Sequence, residues 1–284
     1  MLIELYMKKN TYLLIILILA SCQKEDVGGI PTYLKINSIE LEDNITYNIT
    51  DAWVYINGQL QGVYELPAKF PVLEQGNTDV KIYAGIKNNG ISSDRVMYPF
   101  YSADTINKVL TVNSTTEIDP TVNIKENIDG QFDDFDNGFS FNSDTRFQEL
   151  TNGPYGNYGS LSLDSLSDSD SILITEINYK DFPLSFDNVP QQGSPTYMEL
   201  DYKTNTSFLV GMYINSPNSP TLEKGLLWIN PKEDWNKIYI DLTQTISEAI
   251  GAETFSIFIK MQRDPNLDEN KLDFDNIRII HFEK

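Results

Sequence analysis

The chain has little with which to do chemistry on its own. It holds one cysteine and one histidine among 284 residues, and its 21 Lys and Arg are outnumbered by 41 Asp and Glu, giving a formal net charge of −20. Zinc catalysis needs nitrogen and sulfur ligands that this inventory lacks. The lone histidine, His281, lies close to the end of the chain, beyond the last apolar run, with no Gly-x-Ser-x-Gly elbow and no cysteine partner. Nucleophilic hydrolysis therefore has no recognisable pairing of base and nucleophile. Binding to nucleic acid requires a basic face to meet phosphates, and none is present. With 41 acids, a carboxylate pair for glycoside cleavage has many candidates, but no spacing singles one out. The chain is expected not to be an enzyme, with glycoside cleavage as the minor alternative. It also lacks a long apolar run: residues 12–20 are too few to span a bilayer, which takes ~20.

What is there begins with that short run. Lys8 and Lys9 precede it and Leu19-Ala20-Ser21-Cys22 closes it, the basic start, apolar middle and small-residue end of a secretory signal. Translation is expected to start at Met7, which puts the two lysines where a signal peptide wants them. Residues 1–21 are then removed, and the mature chain starts at Cys22. Leu-Ala-Ser-Cys resembles the lipobox of bacterial lipoproteins, which implies a diacylglyceryl thioether and an acylated amine on Cys22. Gln23-Lys24-Glu25-Asp26 resembles the export signal of Bacteroidota lipoproteins and implies an outer-membrane protein displayed on the outer face, with residues 22–30 as its tether. A chain this acidic is repelled by anionic lipid, so acyl chains must hold it at the membrane. With Cys22 modified, no thiol remains for a disulfide, a nucleophile or a soft metal. Asp104-Thr105-Ile106, Asp164-Ser165-Leu166 and Asp170-Ser171-Ile172 resemble O-glycosylation acceptors of the same bacteria and fit export.

The rest of the chain reads as strands, with length for two domains. In residues 31–125, Leu34 and Ile36 alternate with polar residues, and Trp53-Val54-Tyr55-Ile56 runs into Asn57-Gly58 and a return strand, 59–64. Asn-Gly supplies the positive φ angles of a tight hairpin. Leu66-Pro67 and Phe70-Pro71 demote the next stretch to an edge. Further strands are expected at 79–84, 95–101, 108–113 and 116–122, with a turn at Lys87-Asn88-Asn89-Gly90. Many short strands in so few residues describe a small β-sandwich. The hairpin 51–64 resembles that of PEGA-like and carboxypeptidase-regulatory modules, which implies an immunoglobulin- or transthyretin-like sandwich serving as a spacer or docking unit.

Residues 126–130 are polar and aperiodic and mark the boundary. Beyond them, strands are expected near 139–141, 159–163, 172–179, 196–202, 208–214, 226–230, 237–242, 255–261 and 272–280, with a helical turn at 245–252. Trp235 is read as core because it starts an alternating strand with Ile238 and Ile240, and Trp53 is read as core in the same way. The opening Phe132-Asp133-Asp134, the strand 235–242 led by Trp235, and the closing Leu272-Asp273-Phe274-Asp275-Asn276-Ile277 resemble the galactose-binding-like jelly roll, a superfamily rich in carbohydrate-binding modules. The fold class is thus all-β, two tandem sandwiches, the second a jelly roll spanning 126–284.

That resemblance implies that the terminal strands pair and that a structural Ca²⁺ sits between them, held by Asp133, Asp134 or Asp136 with Asp275, hard oxygens of the kind Ca²⁺ prefers. Asp264, Asn266, Asp268 and Asn270 imitate an EF-hand in spacing, but Glu269 stands where Gly is needed, so a polar hairpin loop is the better reading. Sugar contact needs exposed rings to stack on a pyranose and polar groups to take its hydroxyls. Tyr155 and Tyr158, in Asn152-Gly153-Pro154-Tyr155-Gly156-Asn157-Tyr158-Gly159, and Trp228 are the candidates. The function expected is a non-catalytic binding or accessory module for glycan or partner protein. The alternative is a structural subunit of an outer-membrane complex such as a SusC/SusD-like transporter or a secretion or barrel-insertion machine.

Overall fold

A computed structural model of the chain describes residues 29–43, 45–133, 136, 141–142, 147–164, 174–179 and 189–284. Cys22, the tetrapeptide 23–26, Asp134, Ser165 and Ser171 lie outside the described residues. Regular structure among the described residues is all strand except for one short helix, and no helix there is long and apolar enough to cross a membrane.

Ten strands come first: β1 Thr32–Ile36, β2 Glu40–Leu41, β3 Asp51–Ile56, β4 Gln59–Glu65, β5 Ala68–Val72, β6 Gly76–Lys87, β7 Arg95–Met97, β8 Ala103–Leu110, β9 Thr115–Ile118 and β10 Thr121–Val122. They form a sheet in the order β4-β3-β6-β7, with β8 also on β6, and two smaller sheets, β5-β1-β9 and β10-β2. Asn57 and Gly58 take φ of 49° and 80°, so the β3–β4 hairpin forms where Asn-Gly predicts it. Strand β5 is an edge, its Pro71 opposite Tyr33 of β1, as a residue without an N–H requires. Leu34 and Ile36 from the small sheet pack with Val54, Ile56, Val80 and Ile82 from the large one to make the core of this half.

Three details differ from the sequence reading. The core residues of β3 are Ala52, Val54 and Ile56, so Trp53, one position out of phase, lies half-buried on the other face against Gly85. Strand β7 stops at Met97, and the buried rings Tyr98, Phe100 and Tyr101 belong to no long strand but to the packing described below. Strand β8 lies earlier than expected, because Asn113 takes a left-handed turn at φ 56°.

The second half comprises β11 Ile128–Asp133, β12 Phe141–Asn142, β13 Phe147–Leu150, β14 Tyr158–Asp164, β15 Ile174–Tyr179, β16 Thr196–Thr204, β17 Phe208–Asn215, β18 Leu222–Ile229, β19 Lys232–Asp241, helix α1 Thr243–Glu248, β20 Thr254–Gln262 and β21 Glu269–Phe282. One sheet runs β13-β14-β21-β16-β19, with β11 also on β21; the other runs β12-β15-β20-β17-β18. The chain passes back and forth between them in the manner of a jelly roll. Strand β11 starts at Ile128, inside the stretch read as polar linker, because its backbone pairs with the end of β21 from Ile128↔Phe282 to Asp133↔Ile277. Met198, Leu200, Ile238, Ile240, Leu272 and Phe274 face the interior between the sheets. His281 is a buried member of β21 with Nδ1 2.8 Å from the Phe282 carbonyl oxygen, rather than a residue beyond the last strand. Residues 264–268 form the turn between β20 and β21, with Asp264 Oδ1 accepting from the Asn266 backbone, the polar loop expected there.

Parity decides the position of Trp235. On β19 the interior residues are Ile238 and Ile240, so odd-numbered residues point to the opposite face, and Trp235 lies half-buried outside the core. That outer face also carries Tyr197, Glu199 and Asp201 from β16 and Lys237 and Tyr239 from β19. It is covered by the first half of the chain. Tyr98 packs its ring 4.7–5.4 Å from those of Phe100, Tyr101, Tyr197 and Tyr239. The turn after β6 closes the free edge of β19: Asn89 N donates to Tyr239 O at 2.9 Å, and Asp241 N donates to Asn89 Oδ1 at 2.9 Å.

Candidate functional site

At the seam between the halves, strap residues 45–50 lie across β16 and β19. Asn48 donates from its backbone N to the Tyr239 hydroxyl at 2.9 Å and from Nδ2 to Lys237 O at 3.0 Å. Thr46 donates to Asp201 and accepts from Lys237 Nζ at 3.0 Å. Lys237 lies 3.1 Å from Glu199 Oε2 and 3.9 Å from Asp201 Oδ1, and Tyr98 donates to Glu199 Oε1 at 2.6 Å. All of these charges are buried. Burial raises the Asp201 pKa, and the Glu199 charge adds to that, while Lys237, Thr46 and Asn276 pull it back. Burial also raises the pKa of Tyr98, Tyr101 and Tyr239, with the Glu199 charge adding to each, so these hydroxyls keep their protons.

A bulge in β21 brings Asn276 into this network. Glu199 pairs with Arg278 and Asp201 with Asp275, so one intervening residue on β16 faces two on β21, and Asn276 absorbs the extra length at φ 49°. The side chain of Asn276 reaches Asp201 Oδ2 at 2.9 Å.

Beside the bulge lies a cleft of about 580 Å³, lined by Ile45, Thr46, Tyr47, Phe132, Asp136, Tyr155 and Asn276. Tyr155 comes from the loop between β13 and β14. Gly153 N donates to Gly156 O at 2.7 Å, and the following Asn157 N donates to Asp136 Oδ1 at 2.8 Å. Gly156 takes φ 133°, and a Cβ there would lie 2.6 Å from the Asp136 carboxylate, so only glycine lets the acid close on the turn. Tyr155 is 50% exposed. Its ring stands edge-on to Trp235 at 6.3 Å, and Tyr158 meets Trp235 at 5.6 Å from the start of β14. Burial raises the Tyr155 pKa, and the charges of Asp201 and Asp275 add to it.

The structure thus divides the expected binding residues. Tyr155 and Tyr158 gather on Trp235, a residue misassigned to the core by a one-residue parity error. Trp228 stands apart on β18, 54% exposed, at the rim of a second cleft of about 620 Å³. Of the acids expected to hold Ca²⁺, Asp136 lines the Tyr155 cleft, Asp275 is buried in β21, Asp133 ends β11 opposite Ile277, and Asp134 is outside the described residues. Among the described residues no three His, Cys, Asp or Glu side chains group as metal ligands. Phe132, Tyr47 and Asn276 were missed as site residues. Phe132 is 46% exposed beside the cleft, and its only sequence signal is an apolar ring ahead of an acidic run.

No protein-family model and no curated protein matches the sequence. Among solved structures, a family 11 carbohydrate-binding module from Clostridium thermocellum, in complex with a β-1,3-1,4-mixed-linked tetrasaccharide, aligns over 55% of this chain and 89% of its own at 13% identity and a TM-score of 0.33. A family 30 carbohydrate-binding module from the same organism aligns over 53% and 90% at 13% identity and a TM-score of 0.36. A family 22 xylan-binding domain aligns over 54% and 94% at 10% identity and a TM-score of 0.36.

Proposed function

We propose that the chain is a non-catalytic glycan-contacting module, held by lipid on Cys22 at the outer membrane and displayed on the cell surface. The observation that carries the reading is the Tyr155 cleft. A pyranose offers an apolar C–H face and a rim of hydroxyls, and recognition takes a ring for the first and acceptors and donors for the second. Half-exposed Tyr155 supplies the ring, backed by Trp235 and Tyr158, with Phe132 and Tyr47 beside it. Asp136, Asn276 and Thr46 supply the polar groups. Glycoside cleavage takes a pair of carboxylates, and among the described residues that line the cleft Asp136 supplies one, with Asn276 an amide. Anchoring rests on the basic start, short apolar run and Leu19-Ala20-Ser21-Cys22, and display on Lys24-Glu25-Asp26 beside the cysteine.

A glycan array followed by titration calorimetry tests the site. Tyr155→Ala is expected to lower affinity for the oligosaccharide found at least tenfold, and Trp235→Ala to lower it less, by loosening the ring rather than removing it. Unchanged binding by Tyr155→Ala of every neutral oligosaccharide found would overturn the assignment. Anchoring has its own readout: metabolic labelling with an alkyne fatty acid should mark the wild type and not Cys22→Ser, and protease added to intact cells should cut the wild type. Stoichiometric recovery of an outer-membrane barrel from mild detergent would favour the complex-subunit reading instead.

A further inference from the structure

The second cleft has a charge that the rest of the chain does not prepare for. In a protein with almost two acids per base, it is lined by three lysines, Lys87, Lys232 and Lys237, and four asparagines, with no carboxylate among the described residues that line it. Its wall comes from both halves: Asn48 and Asn89 from the first, and the β18–β19 turn with Trp228 and Lys232 from the second. Lys237 is neutralised from below by Glu199 and Asp201, and Lys87 has Glu65 at a loose 3.9 Å. Lys232, exposed at the start of β19, makes no salt bridge among the described residues, although on its other side it borders a cleft that holds Glu233, Glu269 and Asp273. Beside it the indole of Trp228 is 54% exposed on an edge strand. A large exposed ring, a lysine with no salt bridge among the described residues and a wall of amides in one cleft match one ligand chemistry: a sugar ring that carries a negative charge.

We propose that this seam cleft is a second saccharide site, specific for acidic saccharides, in which Trp228 stacks on the sugar ring, Lys232 meets its anionic group, and the asparagines that line the cleft take hydroxyls with the amide atoms the seam leaves free. The inference rests on the glycan-binding reading but uses none of the Tyr155 residues, so the two fail separately. The cleft volume of about 620 Å³ is within the range of small-ligand sites, roughly 300–1,000 Å³. On a chain that repels anions overall, local lysines select against neutral competitors through charge and against free anions through the ring.

The test is calorimetric titration of the full mature chain with an oligogalacturonate, its methyl ester and a sulfated oligosaccharide, each at low and high salt. The acid is expected to bind at least tenfold more tightly than its uncharged ester, with an affinity that falls as salt screens the lysines. Lys232→Glu and Trp228→Ala should each weaken it at least tenfold, Lys232→Gln by less, and Tyr155→Ala should leave it unchanged. Both altered side chains are exposed, and unchanged melting temperatures verify that the variants fold. Lys232-dependent binding of the sulfated sugar in place of the carboxylated one would support the site with sulfate as the anion. Equal affinity for acid and ester, binding of neither acidic sugar, or loss in Tyr155→Ala with retention in Lys232→Glu would overturn it.

Discussion

The two faces of the sheet β13-β14-β21-β16-β19 are both buried at its centre, and they are buried in different ways. The inner face carries Met198, Leu200, Ile238, Ile240, Leu272 and Phe274 against the facing sheet. The outer face carries Tyr197, Glu199, Asp201, Lys237 and Tyr239 against the other half of the chain. Aliphatic burial is non-directional and tolerates repacking at constant volume. A buried carboxylate is not tolerant: the charges of Glu199 and Asp201 are compensated only when Tyr98, Lys237, Thr46 and Asn276 stand where they do. The inner face therefore makes the sandwich stable, and the outer face fixes how the other half sits on it. Both clefts lie along that fixed seam, with Thr46 in one and Asn48 in the other.

The comparison breaks most visibly at Lys237. Lys237→Met keeps much of the volume but leaves two carboxylates buried without their cation, and a loss of about 3–5 kcal/mol is expected in denaturant unfolding. Leu200→Met, one strand away on the inner face, should cost less than about 1.5 kcal/mol. If the charges matter only as a set, the triple variant Glu199→Gln, Asp201→Asn, Lys237→Met recovers most of the loss. A triple variant as unstable as Lys237→Met would mean that the packing, not the charge, was lost.

Tyr98→Phe is a smaller step on the same face. It removes one hydroxyl and keeps the ring among Phe100, Tyr101, Tyr197 and Tyr239. Because the Glu199 carboxylate then lacks its 2.6 Å donor, about 1–3 kcal/mol should be lost. A Tyr101→Phe control, whose hydroxyl meets Tyr239 at a longer 3.4 Å, should lose less.

Which parts of this were legible in sequence follows from range. The β3–β4 hairpin was readable because Asn57-Gly58 specifies it within four residues. The pairing of the terminal strands followed from the jelly-roll likeness, and the exposure of Tyr155 was suggested by its Gly-rich loop. Trp53 and Trp235 were misplaced by one position of strand phase, an error that moves a side chain across the whole sheet. The seam was invisible for a different reason. Glu199, Asp201 and Lys237 alternate with apolar residues and so have the pattern of a solvent-facing edge of a half-buried strand. What covers them comes from Tyr98 and Thr46, more than a hundred residues away in the chain. The bulge at Asn276 had no local signal beyond an Asn within an apolar strand, yet it directs Asn276 to Asp201.

The smallest expected effect is on pH dependence, and it isolates one carboxyl of the outer face. Burial, with Glu199 adding to it, lifts the Asp201 pKa above its ordinary value despite the opposing pull of Lys237, Thr46 and Asn276. Between the ordinary and the raised value, the folded chain keeps a proton that the unfolded chain has released, so this group makes stability fall as pH rises through that window. Above the window the full cost is present, about 1.4 kcal/mol for each tenfold by which burial weakens the acid. Asp201→Asn cannot titrate and still offers an oxygen to Thr46 and Asn276, so the wild type should lose stability relative to the variant as pH rises from acid toward neutral. The inner face has no counterpart, and Leu200→Met should follow the wild type at every pH. Denaturant melts of the three proteins across the acidic range measure the difference. A wild type that gains on Asp201→Asn as pH rises would mean that Lys237 outweighs burial and that the seam stabilises the ionised acid.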